Sequence, residues 1–196
     1  LAAHLIRGCK EITRNMEERG GGIRNISLIN MCDREPGYYQ LLVETDTRDS
    51  MGANFINSIL ECCAQAIPVW FEEHLPDDVP VPEVIMSILS NYTPDCRVHA
   101  WVECPVTDLG DFEGGLGPEE FARRFYTAVR IAQIDPYRAT THNKGIFNGI
   151  DAVVLATAND FRAVEACGHT WAARSGKYKG LSKCSVTDGV FRFELE

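Results

Sequence analysis

The 196-residue sequence has no C-x-x-C pair, no G-x-G-x-x-G fingerprint, no excess of positive charge, and no run of the ~18 apolar residues that would suggest a membrane span. Each absence removes a class of protein. The eight cysteines, Cys9, Cys32, Cys62, Cys63, Cys96, Cys104, Cys167 and Cys184, lack the ligand spacing of zinc ribbons and thioredoxin-like redox pairs. They are also too sparse for a disulfide-stapled mini-protein, so reduced thiols in the cytoplasm are expected, packed as small hydrophobes. Lys and Arg number 19 against 28 Asp and Glu, a formal charge of −9. That field repels nucleic-acid backbones and anionic lipid, and neither is an expected partner. No set of metal ligands stands out. What remains is an ordinary globular composition, 45% hydrophobic and 24% charged, long enough for one large domain or two small ones. The chain begins at Leu1 in what reads as the interior of a helix, so a longer parent protein is expected.

Residues 1–19 carry Leu5, Ile6, Cys9, Ile12 and Met16 at three- and four-residue steps, a helix that Gly20-Gly21-Gly22 stops. Ile26 to Cys32 and Tyr38 to Thr45 read as a hairpin around the turn-like Asp33 to Gly37. A helix is predicted from an Asp49 N-cap to Phe71, burying Met51, Phe55, Ile59, Leu60 and Cys63, with Pro68 bending or ending it. Glu72 to Pro82 reads as a loop and Val84 to Leu89 as a strand; alternation at Val98, Ala100, Val102 and Cys104 marks a half-exposed strand. Beyond a glycine-rich linker, Asp108 to Gly117, helices are predicted over Pro118 to Ile134, Gly145 to Thr157 and Phe161 to Arg174. A closing hairpin, Ser182 to Glu196, turns at Thr187-Asp188-Gly189. This order is α+β rather than alternating βαβ.

Three segments could carry chemistry. In Asp46-Thr47-Arg48-Asp49-Ser50-Met51-Gly52-Ala53-Asn54, a glycine sits in the first helical turn, where it costs about 1 kcal/mol relative to Ala. One reason for that cost is that Gly52 lets a phosphate approach the helix N-terminus while Asn54 supplies an amide; the other is close helix packing over a capped start. The second segment, Asp135 to Gly149, places Arg138, His142, Lys144 and two asparagines between helices. Arg138 could clamp a carboxylate, and Lys144, at the mouth of a helix, could present an ammonium to a developing alkoxide, with Asn148 on the same face. Equally, Arg138 could pair with Asp135 and Lys144 point to water. The third is Asn159-Asp160, an N-cap. Unbroken helix would hold Asp160 ~24 Å from Lys144. The two can cooperate only if the chain bends near Ala158-Asn159 or if they meet another way, such as across a dimer interface.

Taken together, these strings resemble 3-hydroxy-3-methylglutaryl-CoA (HMG-CoA) reductases of the bacterial class II. Tyr137-Arg138-Ala139-Thr140-Thr141-His142-Asn143-Lys144-Gly145-Ile146-Phe147-Asn148-Gly149-Ile150-Asp151 is similar to that family's catalytic-lysine segment, and Ala156 to Ala166 to its catalytic-aspartate segment. Asp49-Ser50-Met51-Gly52-Ala53-Asn54 resembles its D-A-M-G-x-N dinucleotide motif, with Ser50 where Ala is usual; Gly20 to Gly22 and Leu89-Ser90-Asn91 fall where the family has similar runs.

The resemblance implies a ferredoxin-like cofactor domain inserted in a mostly helical substrate domain, residues 1–90 being most of the first, without its first strand, and 91–196 part of the second. It implies reduction of HMG-CoA to mevalonate and CoA, or the reverse, with two equivalents of NAD(P)H, on a homodimer or an oligomer of dimers. Lys144 and Asp160 would be catalytic, Arg138 and Asn148 would bind substrate, and Arg14, Asp49, Met51, Gly52, Asn54 and Asn91 would bind the cofactor. Thr13-Arg14-Asn15, where NAD-using members tend to carry an acidic residue, favours NADP(H) over NAD(H), since all three can donate to a 2′-phosphate; otherwise Arg14 pairs with Glu11, Glu17 or Glu18. The family's catalytic glutamate and histidine fall outside the segment, so this chain alone should not turn over. The rival expectation is a catalytically incomplete module that binds dinucleotide or CoA thioester, or simply dimerises.

Overall fold

A computed structural model describes residues 1–196. The fold is α+β, and the chain divides into two compact units, Leu1–Leu89 and Ser90–Glu196, each with its own core.

In the first unit, α1 (Ala2–Gly8) and α2 (Lys10–Glu18) are one amphipathic run interrupted at Cys9. Leu5, Cys9 and Met16 are buried along it. The run ends in a Schellman motif: Gly20 has φ +83°, its N–H donates to Glu17 O, and the Gly21 N–H reaches back to Met16 O. A Cβ on Gly21 would lie 2.4 Å from Asp46 O, so the glycine run also admits the end of the neighbouring strand. The hairpin pairs β1 (Gly22–Asn30) with β2 (Tyr39–Asp46), antiparallel, with a register shift between Ile23 and Asn25. The helix α3 (Ala53–His74) then lays Ile59 and Cys63 against Leu5, Cys9 and Ile26. Cys9 and Cys63 are thiols 3.9 Å apart, and burial pushes both above the usual thiol range.

Four expectations for this unit change. The cap of α3 is Gly52 at φ +75°, not Asp49, which is exposed in the preceding turn. Starting at Ala53 leaves Met51 outside the helix and 61% exposed, so it joins no buried stripe. Pro68 is inside α3, which runs on to His74. Val84 to Leu89 is not a strand; Ile85 and Met86 are exposed, and without a paired neighbour the apolar run has no ladder to join.

The second unit carries a three-stranded antiparallel sheet of order β3-β5-β4, from β3 (Ala100–Pro105), β4 (Ser182–Thr187) and β5 (Val190–Leu195). A 3₁₀ turn (Val106–Leu109) leads toward α4 (Pro118–Ile134), whose Ala122 packs with Val106 and Phe191. Then comes α5 (Pro136–Ala156), and after Ala158 at φ +56° the chain turns into α6 (Phe161–Ala173). The expected linker at 135–144 is thus helical. The Asp135 side chain accepts from the Tyr137 N–H, Pro136 occupies the first turn, and Ala139, Asn143 and Phe147 recur every four residues on the buried face.

Candidate active site

In the first unit, Asp49, Met51, Gly52 and Asn54 lie at the turn that enters α3. Thr47 Oγ1 donates to Ser50 O at 2.7 Å, Ser50 Oγ donates to Thr47 O at 2.7 Å, and Arg48 donates to Asp46 Oδ1 and Gly20 O. A Cβ at Gly52 would lie 2.3 Å from Thr47 Cγ2, so the bend demands glycine both for its positive φ and for this close approach. The N-terminus of this 22-residue helix has no side-chain cap and no acidic residue in its first turn, and Asn54 is exposed there. Its unspent N–H groups and positive dipole end fit an anionic group such as a pyrophosphate. Arg14, on α2, is exposed and joins no ion pair; Glu17 is taken by Lys10 and Thr13. Thr13 itself is buried, its hydroxyl donating to Glu17 at 2.7 Å, so of the Thr13-Arg14-Asn15 trio only Arg14 and Asn15 face outward.

The second unit holds the rest, with Asn91 exposed near its start. Lys144 lies two turns inside α5 rather than at a helix mouth, and Asn148 follows one turn later on the same exposed face. Arg138 lines an open groove with Ala128, Ile131, Ala132, Thr141 and His142. The Asp135 carboxylate serves as the cap of α5, and no ion pair engages Arg138 or Lys144. Asp160 is the N-cap of α6, accepting from the N–H groups of Arg162 and Ala163.

Within one chain, Lys144 and Asp160 do not meet. Twelve residues of α5, ~18 Å of rise, separate Lys144 from the helix end, and α6 folds back so that Gly168 and His169 lie against Phe147. The bend at Ala158 is present, yet it leaves Asp160 at the elbow and Lys144 beyond the level of Phe147. His142, which by itself reads more often as a satisfied histidine than as a base, has a buried partner. Its Nε2 lies 2.5 Å from the fully buried Ser182 Oγ, and burial lowers its pKa, which favours the neutral ring. The only signal was its place in the motif string, since Ser182 is distant in sequence.

An uncapped, glycine-entered helix in one unit and a Lys-Asn helix face with an Arg-lined groove in the other are places where anionic groups could be held. The family profile described as hydroxymethylglutaryl-coenzyme A reductase matches residues 2–196, and the chain belongs to this family. Among individual relatives, it is 37% identical over 182 residues to the probable 3-hydroxy-3-methylglutaryl-coenzyme A reductase of Borreliella burgdorferi, covering 93% of this chain and 39% of that protein. It is 32% identical over 185 residues to the Archaeoglobus fulgidus reductase, covering 93% of this chain and 38% of that one. The solved structure of the Streptococcus pneumoniae reductase superposes with a TM-score of 0.79 at 36% identity, over 99% of this chain and 44% of that one. A second structure, of the class II reductase of S. pneumoniae bound to NADPH in open conformations, gives the same score and identity over 50% of its chain. The chain therefore spans about two fifths of the length of the curated relatives.

Proposed function

We propose that the protein containing this chain is a class II reductase that converts HMG-CoA to mevalonate and CoA, or runs the reverse, in the cytoplasm. The family match across residues 2–196, which includes both the Lys144 and the Asp160 segments, carries this reading. The first unit would be the cofactor domain, a ferredoxin-like module inserted in the substrate domain, and the second unit part of that substrate domain. NADP(H) is the favoured cofactor: a structural relative at 36% identity binds NADPH, and Arg14 is exposed and unpaired. When bound, the nicotinamide supplies the two hydrides.

This chain's residues would do the rest. The turn entering α3, with Asp49, Met51 and Gly52, and Asn54 in the helix's first turn would hold the dinucleotide, and Asn91 would contact it. Arg138 would fix the free carboxylate of the substrate, and Asn148 would orient the reacting end. Thioester reduction builds negative charge on the carbonyl oxygen twice, and the Lys144 ammonium is the cation placed to neutralise it. Asp160, held in place as a helix cap, would reach Lys144 from a second copy of the chain, since it does not do so within one.

That assembly is supported by surface. The accessible area of 13302 Å² exceeds the ~11,000 Å² expected for two separate compact units of this size. On the Lys144 side of α5, Tyr137 is 80% and Leu155 57% exposed, while Asp151 Oδ1 is buried without a hydrogen-bond partner. A homodimer, or an oligomer of dimers, would cover this face. The test is a nicotinamide-absorbance assay of the full-length protein with HMG-CoA. Consumption of two NADPH per mevalonate is expected, and oxidation of neither NADPH nor NADH would reject the reading.

A further inference from the structure

The groove between α4 and α5 presents donors and apolar groups and no carboxylate. Ala128, Ile131 and Ala132 come from α4; Arg138, Thr141 and His142 come from α5. The Thr141 hydroxyl is turned to Tyr137 O, at 3.3 Å. Arg138 and one edge of His142 are therefore the polar groups left for a ligand.

The orientation of His142 follows from its neighbours. Its Cδ2 edge faces Gly180, where an added Cβ would lie 3.4 Å away, and its Nε2 meets Ser182 Oγ at 2.5 Å. The Ser182 hydroxyl is fully buried and His142 is its partner. If Nε2 carried the proton, the serine proton would be buried with no acceptor, so Ser182 donates and Nε2 accepts. The imidazole proton is then on Nδ1, the ring position opposite Cδ2, which has no hydrogen-bond partner in the protein. Burial favours the neutral ring, which leaves Arg138 as the groove's charge.

We propose that His142 is a substrate-binding residue: its Nδ1–H donates to the same carboxylate that the Arg138 guanidinium holds, with the apolar wall of α4 accepting a short branched aliphatic chain. This rests on the reading of Arg138 as the carboxylate clamp. Ser182 acts as a positioning residue that fixes the tautomer. A neutral donor fixed by packing adds a second anchor for the carboxylate beside the flexible, exposed Arg138 side chain, which lowers the ordering cost of holding it.

The experiment uses the full-length protein and measures binding of free 3-hydroxy-3-methylglutarate by calorimetry. His142→Gln retains a group that reaches Ser182 but loses the Nδ1 donor; His142→Asn places an amide N–H near Nδ1. The Gln variant should bind about tenfold or more weakly and raise KM for the thioester in proportion, with KM for NADPH and the melting temperature unchanged, while the Asn variant recovers most of the affinity. Equal weakening in both variants, or affinity in the Gln variant within about twofold of wild type, would overturn the proposal. Absence of an Nδ1-bound proton in the nitrogen-15 spectrum of the unsubstituted protein would overturn it as well. Arg138→Met separates the two claims: loss of binding there with none in His142→Gln rejects His142 alone, whereas no loss in Arg138→Met rejects the carboxylate-clamp reading itself.

Discussion

Replacing Asn143 by Leu should loosen the floor beneath the Lys144 face. Asn143 is fully buried; its Nδ2 donates to Lys179 O at 2.9 Å and its Oδ1 accepts from the Leu181 N–H at 2.8 Å. From α4, Gln133 Nε2 donates to Gly180 O at 2.8 Å and Ser182 O at 2.7 Å, so two amide side chains tie the chain entering β4 to α4 and α5. Leucine has the same number of side-chain heavy atoms and the same branching as asparagine, so no large cavity is left. What it removes is the acceptor of a buried N–H and the donor to a carbonyl, at about 1–3 kcal/mol for the unsatisfied N–H and less for the carbonyl. Burial of the apolar side chain offsets about 1.5–2 kcal/mol. A net loss of about 1 kcal/mol is expected in urea unfolding of the full-length protein, with about fivefold faster exchange of the Leu181 amide where that opening is local. An unmoved unfolding midpoint with unchanged exchange at Leu181 would refute the claim that this amide holds α5 to the sheet.

Three further outcomes are expected. Gly52→Ala combines a positive-φ penalty with a Cβ 2.3 Å from Thr47 Cγ2, so it should destabilise the protein by about 2–4 kcal/mol and raise KM for the cofactor; urea unfolding and initial rates check both. Hydrogen bonds from Arg123 and Arg124 lower the Glu120 carboxyl to about 2. A depressed acid contributes stability that is present above its unfolded pKa of about 4.5 and is lost as pH falls toward 2, so a carbon-13 titration should find Glu120 still ionised near pH 3; a midpoint near 4.5 would contradict the pairing. Arg14→Ala should move the ratio of kcat/KM for NADPH over NADH toward NADH by about tenfold or more, and an unmoved ratio would remove Arg14 from the 2′-phosphate site.

Local signals made the helices legible. The Pro118 start of α4, the Asp160 cap of α6 and the Thr187-Asp188-Gly189 turn all stand where caps and turn residues predict them. The extension of α5 back to Pro136 was obscured by Gly145, Gly149 and a polar string, although the Asp135-Pro136 cap and the four-residue spacing of Ala139, Asn143 and Phe147 were present. Asp49 reads as a cap only until the backbone is known: the left-handed turn at Gly52 moves the helix start beyond Met51. Val84 to Leu89 is apolar enough to read as a strand, but pairing depends on a neighbour, which no local pattern reports. In the site, Lys144 and Asn148 were legible as a pair because four residues make one helical turn. His142 with Ser182, and Asn143 with Lys179 and Leu181, depend on contacts 36–40 residues apart and required the fold.

The central claim is that the parent protein reduces a CoA thioester with Lys144 as the cation opposite the developing alkoxide. Its most direct test is single-turnover oxidation of NADPH with HMG-CoA by the full-length protein carrying Lys144→Ala. Losing one preorganised charge partner for the oxyanion should lower the rate by about 10²–10³-fold or more while leaving NADPH binding unchanged. Turnover by Lys144→Ala close to that of the unsubstituted protein would contradict the account.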